Sequence, residues 1–96
     1  MKKVAVVVGV GAVNGLGAAI ARRFAAENYT VVAAGRTREK VELVATEINK
    51  NGHQCISSTT DATSEGDIDE LFRLAEKLGS LRATIFNVGN NQIIDF

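Results

Sequence analysis

Three glycines near the start of the chain have the residue type and the spacing to hold a phosphate group. Gly11, Gly15 and Gly17 follow a valine-rich run and precede an alanine-rich segment, where a strand should pass into a helix. The first amides of a helix are unpaired and its dipole is positive there. Gly11 permits a tight turn, Gly15 leaves room for a pyrophosphate, and Gly17 lets the helix pack closely. With backbone contacts from Asn14 and Leu16, this predicts a dinucleotide site; the alternative is a glycine-rich turn that binds nothing.

The end of the second predicted strand carries a residue that could choose between dinucleotides. NAD-binding sites usually have an acidic residue there, which bonds the ribose 2′-hydroxyl. This sequence has Gly35 followed by Arg36 instead. A guanidinium can bind a 2′-phosphate through two hydrogen bonds, Gly35 leaves space beside the ribose, and Thr37 and Arg38 can add a hydroxyl and a charge. The pattern favours NADP over NAD; the alternative is a solvated arginine at a strand end.

The elements that must position these residues alternate regularly between strand and helix. Apolar runs predict strands at 3–8, 30–34 and 83–86, with a short strand expected at 54–58, and apolar stripes predict helices at 15–28, 37–50 and 64–78. Right-handed crossovers between such units give a parallel sheet with helices on both faces. We therefore predict an α/β, Rossmann-like doubly wound parallel sheet with strand order 3-2-1-4. Four strands amount to the first half of a complete dinucleotide fold, so we expect residues 1–96 to be a portion truncated after the fourth strand.

Composition and charge restrict the class of protein. The 96 residues are 46% hydrophobic and 23% charged, which is typical of one folded domain. The 11 basic and 11 acidic residues cancel, so no general field attracts nucleic acid or an anionic membrane. The one cysteine, Cys55, cannot form an internal disulfide and predicts a cytoplasmic location. His53 stands two residues before it with no second pair of ligands, so we predict no metal site.

The amino-terminal segment could also be taken for a signal peptide or a membrane span. Lys2 and Lys3 precede an uncharged, mostly apolar run from Val4 to Ala21. The run contains four glycines and Asn14, which would interrupt a membrane helix. We therefore interpret it as a strand, a loop and a helix.

The glycine spacing resembles that of the short-chain dehydrogenases/reductases. Their motif is T-G-x-x-x-G-x-G, and Gly11 to Gly17 match it, with Val10 in the place of the threonine. After the fourth predicted strand, Phe86 to Gly89 partly matches the family's N-N-A-G, where Asn87 and the final glycine agree. The resemblance extends over nearly the whole chain. It implies an NADP-dependent oxidoreductase that transfers a hydride between nicotinamide and a carbonyl or alcohol.

The resemblance also implies which residues line the adenosine half of the cofactor. In the family an aspartate after the third strand binds the adenine amino group, helped by its neighbour, and Asp61 and Ala62 stand at this position. Asn87, Val88 and Gly89 would line the adenosine side, with Asn87 mainly tying neighbouring strands together. For Asp61 the alternative is an aspartate that starts a turn or caps a helix.

The family's catalytic residues have no counterpart in these 96 residues. The one tyrosine, Tyr29, is followed four positions later by Ala33, so the motif Y-x-x-x-K is absent. We therefore expect this chain alone to bind the cofactor without turnover. The alternative is a half-domain that acts only in binding or assembly. Because a half sheet leaves a strand edge and apolar helix faces uncovered, we expect the isolated chain to self-associate as a homo-oligomer or to be poorly soluble.

Overall fold

A valine-rich strand lies inside a four-stranded parallel sheet. The computed structural model describes residues 2–87. In chain order its elements are β1 (Lys3–Val8), α1 (Leu16–Ala26), β2 (Thr30–Gly35), α2 (Arg38–Lys50), β3 (Gln54–Thr59), α3 (Glu65–Leu78) and β4 (Ser80–Phe86). The strands lie in the order β3-β2-β1-β4, and every neighbouring pair is parallel. The predicted fold class and strand order are confirmed.

The core lies on both faces of β1 and β2, because consecutive residues of a strand point to opposite sides of the sheet. On one face Val7, Val31 and Ala33 pack with the buried residues of α1 and α2. On the other face Val6 and Val32 pack against α3. The unbroken apolar runs of β1 and β2 thus reflect burial on both sides, as is usual for a parallel sheet.

The helix ends follow local signals that the sequence contains. The Ser64 hydroxyl accepts a hydrogen bond from the Asp67 amide at 3.2 Å and caps α3. After α2, Gly52 adopts a φ of +86°, the left-handed conformation expected of a glycine after a helix. No helix within residues 2–87 combines the length and the apolar character needed to cross a membrane.

The fourth strand begins three residues earlier than its apolar pattern predicts. Ser80 pairs with Lys3, and its amide donates to the Lys2 carbonyl at 2.8 Å. An irregularity in the pairing of β1 with β4 falls between Val4 and Ala5, opposite Arg82. Because Ser80 is a polar residue, only its pairing with Lys3 identifies it as part of the strand.

Candidate functional site

The carboxyl ends of the strands surround a cleft of about 350 Å³. It is lined by the turn from Val8 to Gly11, the turn from Gly35 to Thr37, the turn from Thr60 to Thr63, and by Lys40 and Asn87. These segments come from four different parts of the chain. This is the edge of an open parallel sheet at which ligands bind.

The tight turn at the end of β1 is made by Gly9 and not by Gly11, so that prediction was wrong. Gly9 has a φ of +98°, and a Cβ on it would lie 1.7 Å from the Asn87 carbonyl oxygen. A Cβ on Gly11 would meet no atom within 4 Å. The close approach to Gly9 arises because β4 pairs with β1 and brings Asn87 alongside. Gly11 still lines the cleft, and its contact with a cofactor stays a prediction.

The other two motif glycines lie at the start of α1. A Cβ on Gly17 would lie 2.6 Å from the Gly9 carbonyl oxygen, which confirms that this glycine permits close packing of the helix. Gly15 is the N-cap residue of α1 and makes no side-chain cap, so the first amides of the helix have no side-chain partner there. Asn14 and Leu16 are exposed beside it. These residues lie beyond Gly11 along the chain and do not line the cleft itself.

Gly35 has a structural reason to be glycine. A Cβ there would lie 2.0 Å from the Val10 carbonyl oxygen and 2.8 Å from Cγ1 of Val41. The turn after β1 passes directly over the end of β2, where the amides of Gly9 and Val10 both bond the Ala34 carbonyl at 2.9 Å. Space beside a ribose is therefore not needed to explain this glycine.

Arg36 and Thr37 line the cleft as the β2–α2 turn. Arg36 is exposed, and Thr37 is the N-cap residue of α2, although its hydroxyl makes no capping hydrogen bond. Arg38 does not line the cleft, because its guanidinium bonds the Glu42 carboxylate at 3.1 Å along the outside of the helix. Besides Arg36, the cation that lines the cleft is Lys40, which was not predicted from the sequence. Its spacing of three from Thr37 was the available signal, since such residues share a helix face.

Asp61 forms a tight local turn at the same edge. Its Oδ1 accepts hydrogen bonds from the Thr63 hydroxyl at 2.7 Å and from the Thr63 amide at 2.9 Å. These bonds, and to a smaller degree the Arg36 guanidinium, hold the pKa of the Asp61 carboxyl below its usual value. The turn role offered as the alternative is therefore present. Asp61 is also exposed to the cleft, and contact with an adenine stays a prediction.

Asn87 ties the end of β4 to the end of β1. Its amide donates to the Val8 carbonyl at 2.7 Å, and its Nδ2 donates to the Gly9 carbonyl at 3.4 Å. This is the structural role that the resemblance implied. The predicted contacts at Val88 and Gly89 lie outside the described residues.

Two other groups considered in the sequence lie away from the cleft. Tyr29 precedes β2, and its ring lies 4.8 Å from the Lys3 ammonium at the amino ends of the strands. Cys55 is buried in the core near the amino end of β3, and burial raises the pKa of its thiol to about 11. Within residues 2–87 there is no group of three or more His, Cys, Asp or Glu residues that could hold a metal ion.

Comparison with known proteins gives a consistent set of relatives. The family model described as short chain dehydrogenase matches residues 3–96. An uncharacterized oxidoreductase of Staphylococcus aureus strain USA300 is 36% identical over 98 residues, covering 98% of this chain and 41% of the relative. The meso-2,3-butanediol dehydrogenase of Serratia marcescens is 35% identical over 88 residues, covering 91% of this chain and 34% of that protein.

Solved structures are similar over the same region. A hydroxysteroid dehydrogenase from Escherichia coli matches with a TM-score of 0.84 and 32% identity, over 92% of this chain and 37% of that one. An actinorhodin polyketide ketoreductase variant with NADPH matches with a TM-score of 0.83 and 28% identity, over 93% and 34%. The chain thus spans about two fifths or less of the length of these relatives.

Proposed function

The chain belongs to the short-chain dehydrogenase family, and we propose that it forms the NADP-binding portion of an NADP-dependent oxidoreductase. The reaction proposed for the whole enzyme is hydride transfer between nicotinamide and a carbonyl or alcohol. The bound dinucleotide would supply the hydride donor or acceptor. The residues of this chain would bind and orient it.

One observation carries the choice of NADP. The side of the cleft next to β2 presents two cations, Arg36 and Lys40, and the Thr37 hydroxyl, which makes no capping bond. None of the ion pairs found within residues 2–87 involves Arg36 or Lys40. A 2′-phosphate is a dianion with several acceptor oxygens, which a guanidinium, an ammonium and a hydroxyl all suit. One neighbour of known structure, the actinorhodin polyketide ketoreductase variant, is a structure with NADPH.

The remaining contacts are proposed from the turns around the cleft and the start of α1. The pyrophosphate would be held mainly by backbone amides, because a glycine-rich turn and a helix N-terminus present unpaired donors there. The adenosine would lie between the turns that follow β3 and β4. The proposed pyrophosphate contacts are Gly11, Asn14, Gly15, Leu16 and Gly17, and the proposed adenosine contacts are Asp61, Ala62, Asn87, Val88 and Gly89.

For the 96-residue chain by itself we propose dinucleotide binding without turnover. The observation that favours this second, narrower function is the position of Tyr29, which lies at the end of the sheet opposite the cleft. No other tyrosine occurs in the sequence. We also propose a cytoplasmic location and self-association of the chain; β4 pairs only with β1 within the described residues, so its other edge is open to a partner.

Titration with NADPH and NADH tests the choice of cofactor. Binding can be followed by the fluorescence of the reduced nicotinamide itself. We expect NADPH to bind more tightly than NADH. Arg36→Ala and Lys40→Ala should each raise the Kd of NADPH about tenfold and change that of NADH less than twofold, because each removes one charge-assisted contact to the 2′-phosphate.

Arg38→Ala is the matched control for these two variants. It removes a cation from the same helix turn, but that cation is bound to Glu42 outside the cleft, so NADPH affinity should be unchanged. Tighter binding of NADH by the unmodified chain would contradict the proposal. So would an Arg36→Ala variant that binds NADPH as well as the unmodified chain.

A further inference from the structure

Arg22, on α1, bonds two separate parts of the molecule through one nitrogen. Its Nη1 donates to the Val13 carbonyl at 2.9 Å and to Oε1 of Glu47 at 2.9 Å. An Nη atom carries two hydrogens, so it can donate both bonds at once. Val13 belongs to the segment between β1 and α1, and Glu47 belongs to α2. Arg22 therefore connects three pieces of chain that lie up to 34 residues apart in sequence (13 and 47).

The segment that Arg22 contacts has few other attachments. From Gly11 to Gly15, the described structure has two further hydrogen bonds. The Gly15 amide donates to the Ala12 carbonyl at 2.9 Å within the segment, and the Gly15 carbonyl accepts from the Ala19 amide at 3.1 Å where α1 begins. Ala12 and Asn14 are exposed. The Val13 side chain packs against the core on the α1 side. Among the side chains of residues 2–87, Arg22 alone hydrogen-bonds this segment to the rest of the protein.

Glu47 fixes the direction in which the Arg22 guanidinium reaches. The two side chains are 37% and 44% exposed, so their ion pair adds little to stability by itself. Its effect is geometric. α2 is anchored in the core through Val44 and Ile48, and its first turn carries Lys40, one of the two cations of the cleft. Arg22 thus holds the glycine-rich segment at a fixed position relative to the β2–α2 turn.

We infer that Arg22 is a positioning residue for the pyrophosphate, acting by holding the backbone of Gly11 to Gly15 in the conformation that binds it. The inference rests on the proposed function. A dinucleotide would be held at both its pyrophosphate and its 2′-phosphate. If the segment from Gly11 to Gly15 moved relative to α2, the two phosphate groups could not both reach their binding residues at once. Preorganising that segment lowers the entropic cost of binding.

The test compares a ligand that reaches the segment with one that does not. NADPH contains the pyrophosphate, whereas adenosine 2′-monophosphate has only the phosphate proposed to bind near Arg36. We expect Arg22→Gln to raise the Kd of NADPH about tenfold, the effect of losing one charge-assisted hydrogen bond. The Kd of adenosine 2′-monophosphate, measured by competition or calorimetry, should change less than twofold. A general loss of structure would weaken the binding of both ligands.

Arg23→Gln is the matched control, because Arg23 is the next residue of α1, is highly exposed and pairs with Glu27 away from the segment. It should leave both affinities unchanged. Glu47→Gln is a second variant, which leaves the hydrogen bond from Arg22 to Val13 possible. It should raise the Kd of NADPH by a smaller factor than Arg22→Gln does. It also keeps the inference testable if Arg22→Gln fails to fold.

Three outcomes would overturn the inference. The first is that NADPH affinity stays unchanged in both Arg22→Gln and Glu47→Gln. The second is that the Kd values of NADPH and adenosine 2′-monophosphate rise by the same factor. The third is that the unmodified chain binds neither NADPH nor NADH, which would reject the proposed function itself and is therefore distinguishable from the other two.

Discussion

Replacing Gly9 with alanine should destabilise the chain severely, while the same change at Gly11 should not. Both glycines belong to the turn after β1 and both line the cleft. Their environments differ. Gly9 has a φ of +98°, and an added Cβ would lie 1.7 Å from the carbonyl oxygen and 2.5 Å from the carbonyl carbon of Asn87. At Gly11 the added Cβ would meet nothing within 4 Å.

The size of the effect at Gly9 follows from these contacts. The left-handed backbone costs an alanine roughly 1–3 kcal/mol. To change the Cβ–oxygen distance from 1.7 Å to an ordinary contact of 3.4 Å, the end of β4 must move away from β1, and such overpacking costs about 1–3 kcal/mol. That movement also breaks the hydrogen bond from the Asn87 amide to Val8, worth about 1 kcal/mol. The sum, about 3–7 kcal/mol, is comparable with the whole stability of a small domain, about 5–15 kcal/mol.

Urea denaturation followed by circular dichroism measures both variants. Gly9→Ala should lower the unfolding midpoint strongly or leave the chain unfolded in buffer. Gly11→Ala should leave the midpoint unchanged or raise it. The corresponding gain in the free energy of unfolding is at most about 1 kcal/mol, because alanine restricts the unfolded chain. If Gly11→Ala were as destabilising as Gly9→Ala, the assignment of the turn to Gly9 would be refuted. An unchanged midpoint for Gly9→Ala would refute it too.

Two further predictions concern titratable groups. Because burial raises the pKa of Cys55 to about 11, a maleimide at neutral pH should label the folded chain at least about 100-fold more slowly than the urea-unfolded chain; equal rates would contradict the buried position. Because hydrogen bonds from Thr63 lower the pKa of Asp61 in the folded chain, ionised Asp61 stabilises the fold above its unfolded pKa of about 3.9, and this contribution disappears as the pH falls through the lower, folded pKa. Asp61→Asn should therefore show a flatter decline of melting temperature with acid than the unmodified chain, and an identical decline would count against these bonds.

The fold could be predicted from the sequence because its signals are local and repeated. β1 and β2 are nearly continuous apolar or β-branched runs, β3 has a short apolar centre at Cys55 and Ile56, and each helix carries an apolar stripe. The start of β4 could not be predicted in this way. Ser80 is polar, and its strand conformation depends on pairing with Lys3, a contact between residues far apart in the sequence.

The site was predicted at the level of segments and less well at the level of side chains. The three turns around the cleft were identified, because parallel strands bring their carboxyl ends to one edge. Which glycine makes the first turn depends on the position of Asn87. Whether Arg38 also lines the cleft depends on its ion pair with Glu42. The spacing of residues in the sequence does not reveal either of these contacts.

Gly35 changes the basis on which the cofactor is inferred. In the sequence alone, the missing acid at the end of β2 and the arginine after it both favour NADP. The Val10 carbonyl oxygen lies where a Cβ of residue 35 would be, so the path of the chain excludes an acidic side chain there whatever the ligand. The absence of an acid at position 35 is thus explained by packing alone. The inference of NADP rests instead on Arg36 and Lys40, two cations that the fold leaves exposed, and these are the positions at which a change of cofactor preference should be sought.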